Sequence, residues 1–170
     1  MLWMGSFPGY YATVDDDLDY FDGYIEKLKQ SLKKYDNKVI CSFHGLRYQI
    51  KNGQVDLNTK EILFYNKIIE KDTVCLRPGM GTAMCHPHTL NLDKSIYLRY
   101  PKGNSDDCIT SIWAQQHNIP CVVVGRDKIY MNATDYAYNG LYKSGEVQLT
   151  RNRMMQSYKN WRYLEIWVYE

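Results

Sequence analysis

The sequence predicts an α/β fold, and three adjoining segments carry that prediction. Residues 9–14 (Gly-Tyr-Tyr-Ala-Thr-Val) are apolar and β-prone and stop at three aspartates, Asp15, Asp16 and Asp17. Phe21, Tyr24, Ile25, Leu28, Leu32 and Tyr35 then recur at helical spacing and make one apolar stripe. Residues 38–44 (Lys-Val-Ile-Cys-Ser-Phe-His) return to a buried, β-prone run closed by Gly45. Strand, acidic turn, helix and strand form a βαβ unit, for which parallel strands and a right-handed crossover are expected.

The remaining elements follow in order. Asp22 is a candidate N-cap for the first helix, and Lys33-Lys34 suit its C-terminal end. Leu46 to Ile50 alternates and predicts pairing across the turn Lys51-Asn52-Gly53. Residues 61–69 fit strand or helix equally. Thr73 to Arg77 reads as a strand, followed by the glycine-containing loop Pro78-Gly79-Met80-Gly81-Thr82. Residues 106–117 predict a helix with Ile109, Ile112, Trp113 and Gln116 on one face, ended by Asn118-Ile119-Pro120. Residues 121–124 read as a short buried strand, and 126–148, rich in Gly, Asn and Tyr, as a loop or lid. A helix over 150–160 and a strand-like aromatic end from Trp161 to Tyr169 complete the chain. Residues 1–125 are expected to form the core, and 126–170 a lid or helix/strand extension of the same domain.

Composition narrows the function classes. The 170 residues, 45% hydrophobic and 24% charged, suit one globular domain. A formal net charge of +2 argues against nucleic acid or an anionic membrane as the partner. The short basic runs Lys33-Lys34 and Arg151-Asn152-Arg153 read as solvated helix faces. Tyrosine supplies 16 residues against 4 Phe and 4 Trp, which fits an amphipathic aromatic core and also rings able to stack on a sugar. Five cysteines, odd in number and without a Cys-x-x-Cys pair, read as reduced, buried thiols of a cytoplasmic protein. Neither a signal peptide nor a membrane span is legible.

The aspartate triplet is the strongest chemical signal. Three carboxylates after a buried strand repel one another and lose hydration, and a hard divalent cation relieves both penalties. In open α/β sheets ligands bind at the carboxyl ends of strands, where this triplet falls. The competing reading is an acidic turn leading a helix, which accounts for one aspartate better than for three.

Four segments together resemble family 2-type glycosyltransferases of the GT-A fold. Tyr10 to Tyr20, containing Asp15-Asp16-Asp17, is similar to the family's Asp-x-Asp region. Phe43-His44-Gly45 resembles its short strand end. Gly79-Met80-Gly81-Thr82-Ala83-Met84-Cys85-His86 resembles its acceptor loop. Asn104-Ser105-Asp106-Asp107, with Gln116-His117-Asn118-Ile119-Pro120 after the helix, resembles its catalytic-aspartate helix. The four occur in the family's order across roughly residues 9–125.

The resemblance implies a three-layer, Rossmann-like sandwich with a mixed, mainly parallel sheet. It implies Mn²⁺ or Mg²⁺ held by Asp17 and Asp15, with Asp15 or Asp16 also reaching the donor and His86 near the metal or diphosphate. Gly79 and Gly81 would let the backbone approach the ligand closely. Asp107, with Asp106 as the alternate, would act as general base on the acceptor hydroxyl and give inversion. His44 would line the cleft floor. The implied reaction moves a sugar from a nucleotide sugar, UDP-linked in the first instance, to a glycan or other hydroxyl acceptor in polysaccharide or glycoconjugate synthesis.

Two departures shape the expectation. Only fourteen residues precede Asp15, where the family carries its nucleotide-binding half, so the chain reads as a truncated member. Residues 9–14 should then lie at a sheet edge, which a homodimer would cover. The turn after the triplet, with Asp19 and Phe21-Asp22-Gly23, also differs from the family's pattern. The alternatives are a non-catalytic remnant or partner subunit of such an enzyme, and a metal-dependent phosphatase or nucleotidyltransferase, for which no lysine-bearing phosphate loop is present.

Overall fold

The computed structural model describes residues 9–90, 105–134 and 145–168. The fold is mixed α/β, with three α-helices among the described residues and a mixed central sheet. The central sheet holds five strands in the order β1 (Tyr11–Ala12), β8 (Ala83–Cys85), β3 (Ile40–Ser42), β9 (Cys121–Val123) and β6 (Thr73–Cys75). β5 (Gln54–Leu63), β4 (Gly45–Lys51) and β7 (Arg77–Pro78) form a second sheet, and β10 (Met131–Ala133) pairs with β2 (Leu18–Tyr20). No helix among the described residues is long and apolar enough to cross a membrane.

Strand periodicity divides the core into two faces of the central sheet. Cys41, Phe43, Met84, Val122 and Val124 face α1 (Tyr24–Lys34), whose Tyr24, Leu28 and Leu32 pack on them. Ile40, Ala83, Cys85, Cys121 and Val123 face the other way, toward Ala114 and Trp113 of α2 (Asp106–Gln116). A third cluster joins the second sheet to Ile109 and Ile112 of α2 and to Met154 and Met155 of α3 (Gly145–Ser157). All five cysteines are buried free thiols. Buried Arg126 is satisfied by main-chain carbonyls, with Nε 2.8 Å from the Lys67 oxygen and Nη1 3.0 Å from that of Val124, and its guanidinium lies 5.2 Å from the Phe43 ring.

Several expectations need correction. The sheet is not mainly parallel: among the described ladders of the central sheet, β3–β9 alone is parallel. A parallel neighbour needs a long crossover, and β9 has one carrying α2, whereas β8 enters antiparallel between β1 and β3. Two antiparallel steps still leave β1 and β3 running the same way, so β1–α1–β3 is a crossover with β8 inserted in its middle. Asp22 does not cap α1. Gly23 holds that position at φ 88°, and no side chain caps the end. Phe21 and Ile25 leave the stripe and are exposed, while Tyr24, Leu28, Leu32 and Tyr35 carry it. Residues 126–134 are not simply a loop, since Tyr130 and Met131 are buried and β10 pairs with β2. Residues 135–144, the rest of the expected lid's centre, lie outside the described residues. Residues 161–168 form no strand, but Trp161 is buried and its indole donates to the Met155 carbonyl at 2.8 Å.

Other expectations hold in detail. The β4–β5 hairpin turns at Asn52-Gly53, both at positive φ, which matches a primed two-residue turn. Among the described strands, β1 lies at the sheet edge.

Candidate functional site

The Asp triplet follows β1, and the chain beyond Ala12 runs along the loop Gly79–Thr82. Thr13 N–H donates to the Ala83 carbonyl at 2.9 Å, and its hydroxyl donates to the Met80 carbonyl. Two residues on, Asp15 N–H donates to the Tyr20 hydroxyl at 2.7 Å, which donates to the Gly81 carbonyl at 2.6 Å. The Asp15 carboxylate rests where a Cβ on residue 81 would stand, so only glycine leaves it room. Met80–Thr82 is a single 3₁₀ turn, entered directly from β7 and continuing into β8.

From the other side, α2 brings its first turn to the same loop. Asp106 and Asp107 occupy that turn, where helix amides favour anions. One oxygen of Asp107 accepts from Met80 N–H at 2.9 Å. Met80 and Gly81 thus touch both acids: Asp107 through an amide and Asp15 through the space a side chain would fill.

The electrostatics follow from that crowding. Asp15 is exposed as a residue, but its carboxylate is partly packed. Burial, then the charges of Asp17, Asp107 and Asp16, raise its pKa, and Arg151 opposes them. Burial raises Asp106 as well, with the Asp107 charge adding and Arg151 again opposing. His44 lies behind the loop. Burial lowers its pKa to about 4 against the pull of Asp107, with Arg77 and Arg126 assisting, so the ring is neutral at physiological pH. Its carbonyl accepts from Gly79 N–H at 2.8 Å, and its ring would lie 2.8 Å from a Cβ on residue 79.

These contacts place the predicted residues. Asp15, Gly81 and Asp107 meet at one loop. The charges of Asp16 and Asp17 are felt at Asp15, and the Asp17 carbonyl accepts from Thr134 N–H at 2.9 Å. The close approach expected at Gly79 and Gly81 is made here by the chain's own His44 and Asp15. His86 is not brought to the aspartates. It follows β8 at the other end of the β1–β8 pair, its ring 5.6 Å from Tyr10 and 4.9 Å from His88. The three residues of β8 put roughly 10 Å between it and the loop. A cleft of about 590 Å³ lies elsewhere, lined by Lys51, Asn52, Gln54, Asn58, Asn152 and Gln156 among others, and holds none of the predicted residues.

Whether these groups suit a cation can be judged from their donors. Among the described residues no group of three or more His, Cys, Asp or Glu is placed to hold a metal ion. Asp15 with Asp17 offers carboxylate oxygens and a mutual repulsion that a cation would relieve. Mg²⁺ commonly takes one or two carboxylates and completes its shell with water and substrate phosphate. Two carboxylates are too few for a closed protein cage, and any cation here would need further ligands from outside the chain.

Sequence reasoning missed Tyr20, Thr13 and Arg151. Tyr20 lies five positions after Asp15 but gives no sign that its hydroxyl returns to the turn. Arg151 reads as part of a solvated helix face, and only the packing of α3 brings its charge to Asp15 and Asp106. No protein-family model matches the chain, and no curated protein matches it.

Proposed function

We propose that the chain is a glycosyltransferase-like protein of the GT-A type. It transfers a sugar from a nucleotide sugar, UDP-linked in the first instance, to a hydroxyl of a glycan or other acceptor, with Mn²⁺ or Mg²⁺. The observation that supports this reading is the meeting of the Asp15 and Asp107 carboxylates at the Met80–Gly81 loop.

In this reading Asp15 and Asp17 hold the cation, which supplies positive charge against the departing nucleoside diphosphate. Asp107 takes the proton from the acceptor hydroxyl as its oxygen bonds the anomeric carbon, giving inversion. The Met80 amide on one Asp107 oxygen fixes the carboxylate and leaves the other free of that bond. His44, partly buried and neutral, supports the loop without adding charge.

Isothermal titration of UDP and of pyrophosphate, each with and without Mn²⁺, tests the reading. The wild type is expected to bind both only when Mn²⁺ is present. Asp17→Asn should weaken binding about tenfold or more, as expected for loss of one charged ligand. Gly81→Ala should do the same, because the new methyl displaces the Asp15 carboxylate. Wild-type protein that binds neither compound in a metal-dependent way would overturn the proposal.

A further inference from the structure

We infer that Tyr20 is a positioning residue of this site, whose hydroxyl sets where the Asp15 carboxylate stands relative to Asp107; its chemical purpose rests on the transferase reading, its geometry does not. Asp15 belongs to no strand or helix, so no ladder holds its main chain. Its N–H is instead bonded to the Tyr20 oxygen at 2.7 Å, and the same hydroxyl donates to the Gly81 carbonyl at 2.6 Å. One hydroxyl thus uses its proton and a lone pair to tie the acidic turn to the loop that also holds Asp107.

The hydroxyl is well placed to act as a fixed point. The Tyr20 ring lies 4.8 Å from that of Tyr24, Tyr24 lies 5.4 Å from Phe43, and Phe43 lies 5.2 Å from Tyr130. Tyr24, Phe43 and Tyr130 are buried, and Tyr20 also pairs with fully buried Met131 across the β2–β10 ladder. The phenol oxygen is therefore the tip of an aromatic row rooted in the core. Burial, opposed in part by the Asp15 N–H bond, pushes its pKa up to about 12, so it keeps the proton that it donates to Gly81. Thr13 pins the chain two residues earlier through Ala83 and Met80, so Tyr20 governs the last step before the carboxylate.

Tyr20→Phe keeps the ring and removes the hydroxyl. The readout is the nuclear Overhauser contact between the Asp15 β-protons and the Gly81 α-protons, which the packing of the Asp15 carboxylate on Gly81 produces in the wild type. In Tyr20→Phe it should weaken severalfold or vanish, because the released turn carries the carboxylate off the loop. Tyr35→Phe, which removes a hydroxyl bonded to Asp72 on a different part of the fold, should leave the contact unchanged. Manganese-dependent UDP binding should weaken roughly fivefold to tenfold in Tyr20→Phe, in line with one lost hydrogen bond. An Asp15–Gly81 contact of equal intensity in Tyr20→Phe and wild type overturns the inference. If the wild type binds no UDP, the transferase reading fails while this contact still decides the role of Tyr20.

Discussion

Two carboxylates, exposed Asp15 and partly buried Asp72, sit in opposite kinds of surroundings. Asp72 precedes β6 and receives Lys34 Nζ at 2.8 Å, the Tyr35 hydroxyl at 2.6 Å and Gly125 N–H at 2.6 Å. Burial alone would raise its pKa, but these three donors outweigh burial and hold it below the ordinary value. Asp15 gains burial without such donors among the described residues and faces other acids, so its pKa is raised. The same side chain is a structural clamp in one place and an unneutralised charge in the other. A carboxylate that the fold fully satisfies ties elements together. One that the fold leaves crowded by like charge is held in place by other bonds, here those of Tyr20 and Thr13.

The largest expected effect tests the clamp. Asp72→Ala should destabilise the protein by about 3 kcal/mol, because it removes three donors' partner and leaves Tyr35 and the Gly125 amide unsatisfied. Urea unfolding measures it, and a loss below about 1 kcal/mol would break the contrast. Gly125 sharpens the point, since a Cβ there would lie 2.8 Å from the Lys71 carbonyl carbon, so the amide reaches Asp72 only from glycine.

The pH dependence should carry opposite signs at the two sites. Asp72 has a depressed folded-state pKa. Its contribution is present above the unfolded value near 3.8 and is lost as pH falls through the folded value. Asp15 has a raised one, so its favourable contribution is present below 3.8 and is lost as pH rises through the folded value. Stability measured from pH 3 to 7 should therefore show the gap between wild type and Asp72→Asn widening with pH. Asp15→Asn should become the more stable protein over the same rise. Parallel curves for all three proteins would remove the distinction.

The smallest effect is the size of that second difference. At neutral pH and without divalent metal, Asp15→Asn should be more stable than wild type by about 0.5 kcal/mol, a figure kept low because solvent screens an exposed group. Excess Mg²⁺ or Mn²⁺ together with pyrophosphate should reverse the order, since ligand binding stabilises the wild type alone. Thermal unfolding with and without these additions reads both signs.

Much of the fold was legible because its signals are local. The stripe through Leu28 and Leu32, the alternation through Leu46 and Ile50, and Asn52-Gly53 each state an element within a few residues. The acids were also visible, as a triplet after a strand and a pair opening a helix. Capping was misread because Asp22 is a good capping residue by type, whereas the chain turns at Gly23 through a positive φ that type alone does not specify. The strand at 131–133 was missed because Asn132 and Ala133 are exposed and only its partner, β2, makes it a strand.

What the sequence by itself determined is the inventory: which segments form elements, and which carry carboxylates, imidazoles and glycines. The tertiary structure decided the meetings: Asp107 with Asp15 across Gly81, Tyr20 back onto the acidic turn, Asp72 among donors, and His86 away from the aspartates. The physical reason is range. Periodicity and turn chemistry act between neighbours in the chain, whereas the charge around a carboxylate depends on strands and helices that arrive from distant positions. Sheet order sets those arrivals, and the insertion of β8 between β1 and β3 is what placed the Met80–Gly81 loop beside the acids.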